Sequence, residues 1–197
     1  MNKALLHLKK DPVMARLVNA TEPFEWVSTG DLYEDLLSAV VGQQLSVKAA
    51  DTIWKRVEKL LGKDFCPTNI LSVKDQGFRD AGMSWAKIKY FNGIAEVFKN
   101  KEVDVESLPK MSDEEVVAEL TKLKGIGRWS AEMILIFTLG RPDIFSLGDL
   151  GLRNAVSKLY LVDRDDLVKI EKISLKWSPY RSTASRYLWK FLDNEPK

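Results

Sequence analysis

Two stretches carry residue types whose spacing suits chemistry. In Leu123-Lys124-Gly125-Ile126-Gly127-Arg128-Trp129, two glycines stand one residue apart between amphipathic segments. Gly125 and Gly127 free the backbone for positive φ and for close approach to another surface. The segment after them opens with outward-pointing N–H groups, a seat for a phosphate. Such a turn contacts the backbone of DNA rather than its bases. The other reading is an αα-hairpin whose glycines serve close packing. Further on, Asp149 follows the short loop Phe145-Ser146-Leu147-Gly148 and opens a new apolar-periodic segment (Leu152, Val156, Leu159). A carboxylate so placed caps a helix or stabilises a cation that develops beside it, and both roles can hold at once.

These groups need helices to position them. Val116, Leu120 and Leu123 before the glycines, and Met133, Ile136, Phe137 and Gly140 after them, recur at helical spacing, so the stretch reads helix, tight turn, helix. Ser112-x-x-Glu115 is a capping box at its start. Upstream, Asp11-Pro12 marks a helix restart within residues 1–20, and residues 21–30 form a loop. Asp31 with Glu34 caps a helix carrying Leu32, Leu36 and Val40. Gly42-Gln43-Gln44-Leu45-Ser46 breaks that helix, and a second one follows with Ile53, Val57 and Leu60 on one face, stopped by Gly62. Residues 63–83 are short helical pieces closed by Gly82, and Ser84 to Lys99 is an amphipathic helix through Ile88, Phe91, Ala95 and Phe98. Asp149 opens its own helix, a loop follows around Asp163 to Asp166, and the last helix holds Ala184, Leu188 and Leu192. No strand, repeat or low-complexity tract is expected, and the fold class is all-α.

Composition sets bounds. The 197 residues suit one compact unit or two small lobes. With 30 Lys+Arg against 28 Asp+Glu, a DNA-binding surface has to come from segregated charge and backbone donors. One cysteine, Cys66, excludes a disulfide framework and a cysteine-ligated cluster, and one histidine, His7, argues against zinc. With no signal peptide or long apolar run, the expectation is a soluble intracellular protein without membrane contact.

Leu-x-Gly-Ile-Gly-Arg-Trp followed by an Asp in such a loop resembles the helix-hairpin-helix DNA glycosylases of base excision repair. Within them it is similar to the alkylated-purine branch, the 3-methyladenine DNA glycosylase II-like enzymes, and the likeness covers nearly the whole chain. The resemblance implies two helical lobes with a cleft between them. One is formed by residues 1–30 with 146–197, the other by 31–145 with the hairpin motif at 112–139, and the N-terminal β domain of larger relatives is lacking.

It further implies Asp149 as the catalytic carboxylate supporting an oxocarbenium-like sugar, and a base pocket drawn from Trp129, Trp177, Met133 and Leu150, with Tyr180 a weaker aromatic candidate. Where such relatives have aromatic pocket residues this chain has Met133 and Leu150. Backbone-cleaving relatives place a lysine nucleophile where Trp129 stands, so water is the expected nucleophile and no lyase activity follows. Gln43, Gln44 and Leu45 would lie against the minor groove, one of them filling the space of the flipped nucleotide. Gly125, Ile126, Gly127 and Arg128 would hold a phosphate, with Lys122 and Lys124 adding charge. Arg181-Ser182 would meet an acidic group or a phosphate, and Asp143 is expected to be structural.

No cofactor is required, a monovalent cation at the hairpin carbonyls being optional. The implied activity is monofunctional excision of 3-methyladenine, with 7-methylguanine a further candidate. The partner is double-stranded DNA containing alkylated bases, bound by a monomer in the nucleoid-associated cytoplasm of a prokaryote or in a eukaryotic nucleus. The rival readings are a non-catalytic hairpin DNA-binding protein and a glycosylase for a non-alkylated lesion.

Overall fold

Local signals start and stop the helices. The computed structural model describes residues 3–24 and 30–194; of the expected loop over 21–30, residues 25–29 lie outside the described residues. The described residues hold twelve α-helices and two short 3-10 turns joined by turns and irregular segments, with no strand among them. None of these helices is long and apolar enough to cross a membrane.

The chain divides into two compact units, Met1–Ser28 with Leu135–Lys197, and Thr29–Ile134. The second unit is built from α3 (Leu32–Gly42), α4 (Val47–Leu61), α5 (Pro67–Ser72), α6 (Asp75–Ala81), α7 (Trp85–Lys99), α8 (Asp113–Leu120) and the start of α9 (Arg128–Phe137). Asp31 caps α3 by accepting from Glu34 N–H, and Ser46 and Ser84 cap α4 and α7 in the same way. Ser112 and Glu115 form the full capping box of α8. Gly62 and Gly82 end α4 and α6 in the left-handed region. α7 packs against α3, α5 and α6. The apolar faces of α3 and α7 (Leu36, Leu37, Val40, Ile88, Phe91) are fully buried or nearly so.

The first unit comprises α1 (Lys3–Leu8), α2 (Pro12–Ala20), the end of α9, α10 (Leu150–Tyr160), α11 (Leu167–Ser174) and α12 (Arg181–Asp193). Asp11 caps α2 through Val13 and Met14 N–H, with Pro12 at the first helical position. Leu8, Met14, Leu152, Val156, Ile170, Trp177 and Leu188 form its core.

Two elements depart from expectation. α11 lies between the loop expected around Asp163 to Asp166 and Trp177, where no helix was expected: it is only eight residues long, capped by Asp166, and leaves Leu167 and Val168 exposed, so its apolar spacing is weak. α9 ends at Phe137 rather than running on to Gly140, which turns the chain at φ +64.

Candidate functional site

In the first unit the candidate carboxylate is built into a helix start. Asp149 Oδ1 accepts from Leu152 N–H at 2.7 Å, capping α10. The same oxygen accepts from the indole Nε1 of Trp189 on α12, at 3.0 Å. Asp149 is 9% exposed. Trp189 in turn packs on Phe137, with ring centroids 5.5 Å apart. Gly151 makes the close approach possible: a Cβ there would lie 3.0 Å from Asp149 Oδ1 and 3.4 Å from the Trp189 ring. Two donors on one oxygen therefore fix the carboxylate's orientation. Leu150, the next residue, is 51% exposed.

Trp177 belongs to this unit's core. It is fully buried, packed edge-on to Phe145 and against Tyr160. Lining a base pocket requires exposed ring surface, and Trp177 has none here. Tyr180, the weaker candidate, packs its ring edge-on against His7.

In the second unit the hairpin closes between α8 and α9. Leu123 O accepts from Ile126 N–H at 3.0 Å, and Ile126 is buried. Only one of the two glycines needs positive φ. Gly125 stands at φ +95, and a Cβ on it would fall 2.4 Å from Tyr90 Cγ. Gly127 is not in the left-handed region, and a Cβ on it would meet nothing within 4 Å. Glycine at 125 is therefore demanded by the fold, whereas glycine at 127 leaves open space for a body outside the chain.

Trp129, in the first turn of α9, is 41% exposed, and Met133, one turn on, is partly buried. Gln43 donates its amide to Gly125 O at 2.6 Å. Gln44 stands at φ 58 and is exposed, and Leu45 is exposed as well. The turn after α3 thus ties one glutamine to the hairpin and presents the next two side chains to solvent.

Residues 37–179 match the family model of the HhH-GPD superfamily base excision DNA repair proteins. The chain belongs to the HhH-GPD superfamily. DNA-3-methyladenine glycosylase 1 of Schizosaccharomyces pombe is 34% identical over 182 residues, covering 90% of this chain and 79% of that one. The solved structure of the S. pombe 3-methyladenine DNA glycosylase in complex with abasic DNA is 33% identical, with a TM-score of 0.90 and 100% of both chains covered. A Bacillus subtilis relative is 31% identical over 82% of this chain, and the match spans 59% of that relative's own length.

Not every basic residue of this HhH-GPD hairpin offers its charge outward. Arg128 forks onto Glu114 at 2.7 and 3.1 Å and donates Nε to Glu132 at 2.9 Å. Its charge is answered by two carboxylates, and it joins α8 to α9. Lys122 pairs with Glu119. Gly125 O is taken by Gln43, and Leu123 O by Ile126, so two carbonyls of the hairpin already accept a hydrogen bond.

Arg181 meets an acidic partner. It forks onto Asp143 at 2.8 and 3.0 Å, and Ser178 Oγ donates to the same carboxylate at 2.8 Å. Ser182 Oγ donates to Arg141 O at 2.6 Å and accepts from Ile144 N–H at 2.9 Å. The start of α12 thus braces residues 141–144, which lead into the loop before Asp149. Burial pushes the Asp143 carboxyl up, but the hydrogen bonds from Arg181 and Ser178 outweigh it and hold its pKa below the ordinary value. A carboxyl so lowered stabilises the fold at pH values above its unfolded pKa, and that contribution is lost as pH falls through the folded one. The melting temperature of the wild type should therefore drop below about pH 4, where unfolded aspartates protonate. Asp143→Asn should be less stable at neutral pH and show a flatter acid limb. Parallel melting curves for the two proteins from pH 7 to pH 3 would contradict this brace.

Trp189 and Gly151 were not legible as site residues. The available signal was an aromatic residue one place off the apolar stripe of α12 through Ala184, Leu188 and Leu192. Trp189→Phe keeps a ring against Phe137 and removes the N–H that orients Asp149. It should slow single-turnover base release about tenfold, the worth of a hydrogen bond to a charged group, with duplex affinity unchanged. Unaltered release by the folded variant would leave Trp189 a packing residue only.

Proposed function

We propose that the protein is a monofunctional DNA glycosylase that hydrolyses the N-glycosidic bond of alkylated purines, 3-methyladenine foremost, in duplex DNA. The observation that carries this reading is the Asp149 carboxylate, oriented by Leu152 N–H and Trp189 Nε1–H, in a chain of the base excision superfamily. The relatives named as 3-methyladenine glycosylases support the substrate class.

In this reading the hairpin seats a phosphate on backbone N–H groups beside Gly127, contacts that position the protein without reading sequence. The damaged nucleotide leaves the stack, and Gln44 or Leu45 fills its place while Gln43 braces the turn. The bond between the sugar C1′ and the purine nitrogen breaks with its electron pair going to the base. A purine that was cationic through alkylation leaves neutral, so little general-acid help is needed. The sugar gains oxocarbenium character, which the Asp149 anion stabilises. Water adds to C1′ and gives up its proton to the Asp149 carboxylate, which passes it to solvent, leaving an abasic site in an intact strand.

Trp129 supplies an indole face, worth about 0.5–2 kcal/mol to a cationic ring, and has no amine to form a Schiff base. The enzyme works as a monomer, without a cofactor, wherever the cell keeps its DNA.

The test is to incubate the protein with methylated duplex DNA and identify released bases by mass. Free 3-methyladenine with an unbroken strand is expected. Tight duplex binding with no base released would establish the non-catalytic alternative.

A further inference from the structure

Gln43 is held from both of its ends. Its amide reaches Gly125 O at 2.6 Å, with Ser130 Oγ at 3.5 Å. Its own carbonyl accepts from Lys87 Nζ at 2.7 Å, and the same ammonium donates to Val41 O at 2.8 Å. Val41 lies in the last turn of α3 and Gln43 follows its end, where a helix leaves carbonyls without intrahelical donors and where a cation is favoured. Lys87 is partly buried there, and loss of solvent around the ammonium lowers its pKa, while the two carbonyls it donates to hold the charged form in place.

Lys87 lies in the first turn of α7, and Tyr90 stands three residues on, so the two share one helix face. Tyr90 is the ring against which Gly125 packs, too close for any Cβ. One face of α7 therefore touches both functional turns of this unit, with Lys87 on the Gln43-Gln44-Leu45 turn and Tyr90 on the hairpin. Gln44 needs such a support because it adopts φ 58, a conformation unfavourable to a non-glycine residue, while its side chain is exposed.

We infer that Lys87 is a positioning residue for base extrusion: by clamping Val41 O and Gln43 O it fixes the exposed Gln44 turn at a set distance from the phosphate-binding hairpin. A flexible turn would reach the duplex as often, but would lose the entropy of ordering the inserted side chain at the moment of insertion. Lys87 touches no base and no phosphate in this scheme; it acts through Gln44. The inference rests on the glycosylase reading, and insertion is measured apart from excision so that either can fail alone.

The test is a double-mutant cycle of Lys87→Met and Gln44→Ala on the full chain. Insertion is read as the fluorescence rise of 2-aminopurine beside an abasic-site analogue, excision as single-turnover base release from methylated duplex, and hairpin engagement as affinity for undamaged duplex. Lys87→Met should cut insertion and excision about tenfold, within the coupling expected between residues joined through one hydrogen-bond network and a shared backbone turn, and leave undamaged-duplex affinity within about twofold. In the Gln44→Ala background it should add nothing further. Should Lys87→Met melt too low to assay, Lys87→Gln keeps one donor and should show a smaller loss of the same kind. Wild-type insertion by either folded variant, losses that multiply in the double variant, or an equal loss of undamaged-duplex affinity would overturn the inference. Lys87-dependent insertion with no base released by any of the proteins would sink the glycosylase reading and leave this one standing.

Discussion

Asp149→Asn should abolish base release while the protein still folds and still binds duplex DNA. Asparagine keeps an Oδ1 to accept from Leu152 N–H and from Trp189 Nε1, the two bonds seen for aspartate, and it caps helices as well as aspartate does. What disappears is the negative charge. A preorganised group facing developing charge is worth about a hundredfold to a thousandfold in rate, and a loss of that size should fall on the single-turnover constant. Affinity for the abasic duplex should stay level or rise, since one anion near the phosphates has gone. Asp149→Ala is the less informative variant because it also strips the cap. Excision by folded Asp149→Asn within about threefold of wild type would mean that the carboxylate is only the cap of α10.

The hairpin glycines should separate in their effects, and Gly125 should show the larger one. Gly125→Ala forces an L-residue to φ +95 and drives a methyl to 2.4 Å from the Tyr90 ring. Strain of this kind costs about 1–3 kcal/mol before the clash is counted, and the clash falls on the helix face that carries Lys87. The variant should melt lower and lose affinity for undamaged and abasic duplex alike. Gly127→Val meets no atom within 4 Å and no positive φ. It should melt like wild type and still bind every duplex more weakly, because its side chain occupies the space a phosphate would take. Melting curves with anisotropy titrations on both duplexes check the pair. Unchanged affinity for folded Gly127→Val would remove the phosphate seat from the mechanism.

Signals confined to a few neighbouring residues were the ones legible in the sequence. The caps at Asp31 and Ser112, the restart at Asp11-Pro12 and the Asp149 N-cap act over two or three residues, so spacing alone exposes them. The bonds that give those groups a task reach much further. Trp189 lies forty residues from Asp149, and Gln43 eighty-two from Gly125. No periodicity encodes which indole or which amide arrives there. The same limit explains Arg128, whose Glu114 partner is fourteen residues away on α8. Gly125 and Gly127 looked equivalent as a pair, and only the backbone angle at 125 and the packing of Tyr90 tell them apart. Trp177 read as a pocket candidate because a large aromatic in a loop is equally a core residue or a binding one, and the loop here folds under α10 and α12 into the core.

The most direct measurement compares single-turnover release from matched duplexes carrying N3-methyladenine, uracil or 8-oxoguanine, with borohydride present in a parallel set. If Trp129 receives a cationic ring and Asp149 supports the sugar cation while water attacks, N3-methyladenine should be released far faster than either neutral lesion, and no protein should be trapped on DNA. Release of uracil or 8-oxoguanine as fast as N3-methyladenine, or a covalent adduct captured by borohydride, would contradict the account.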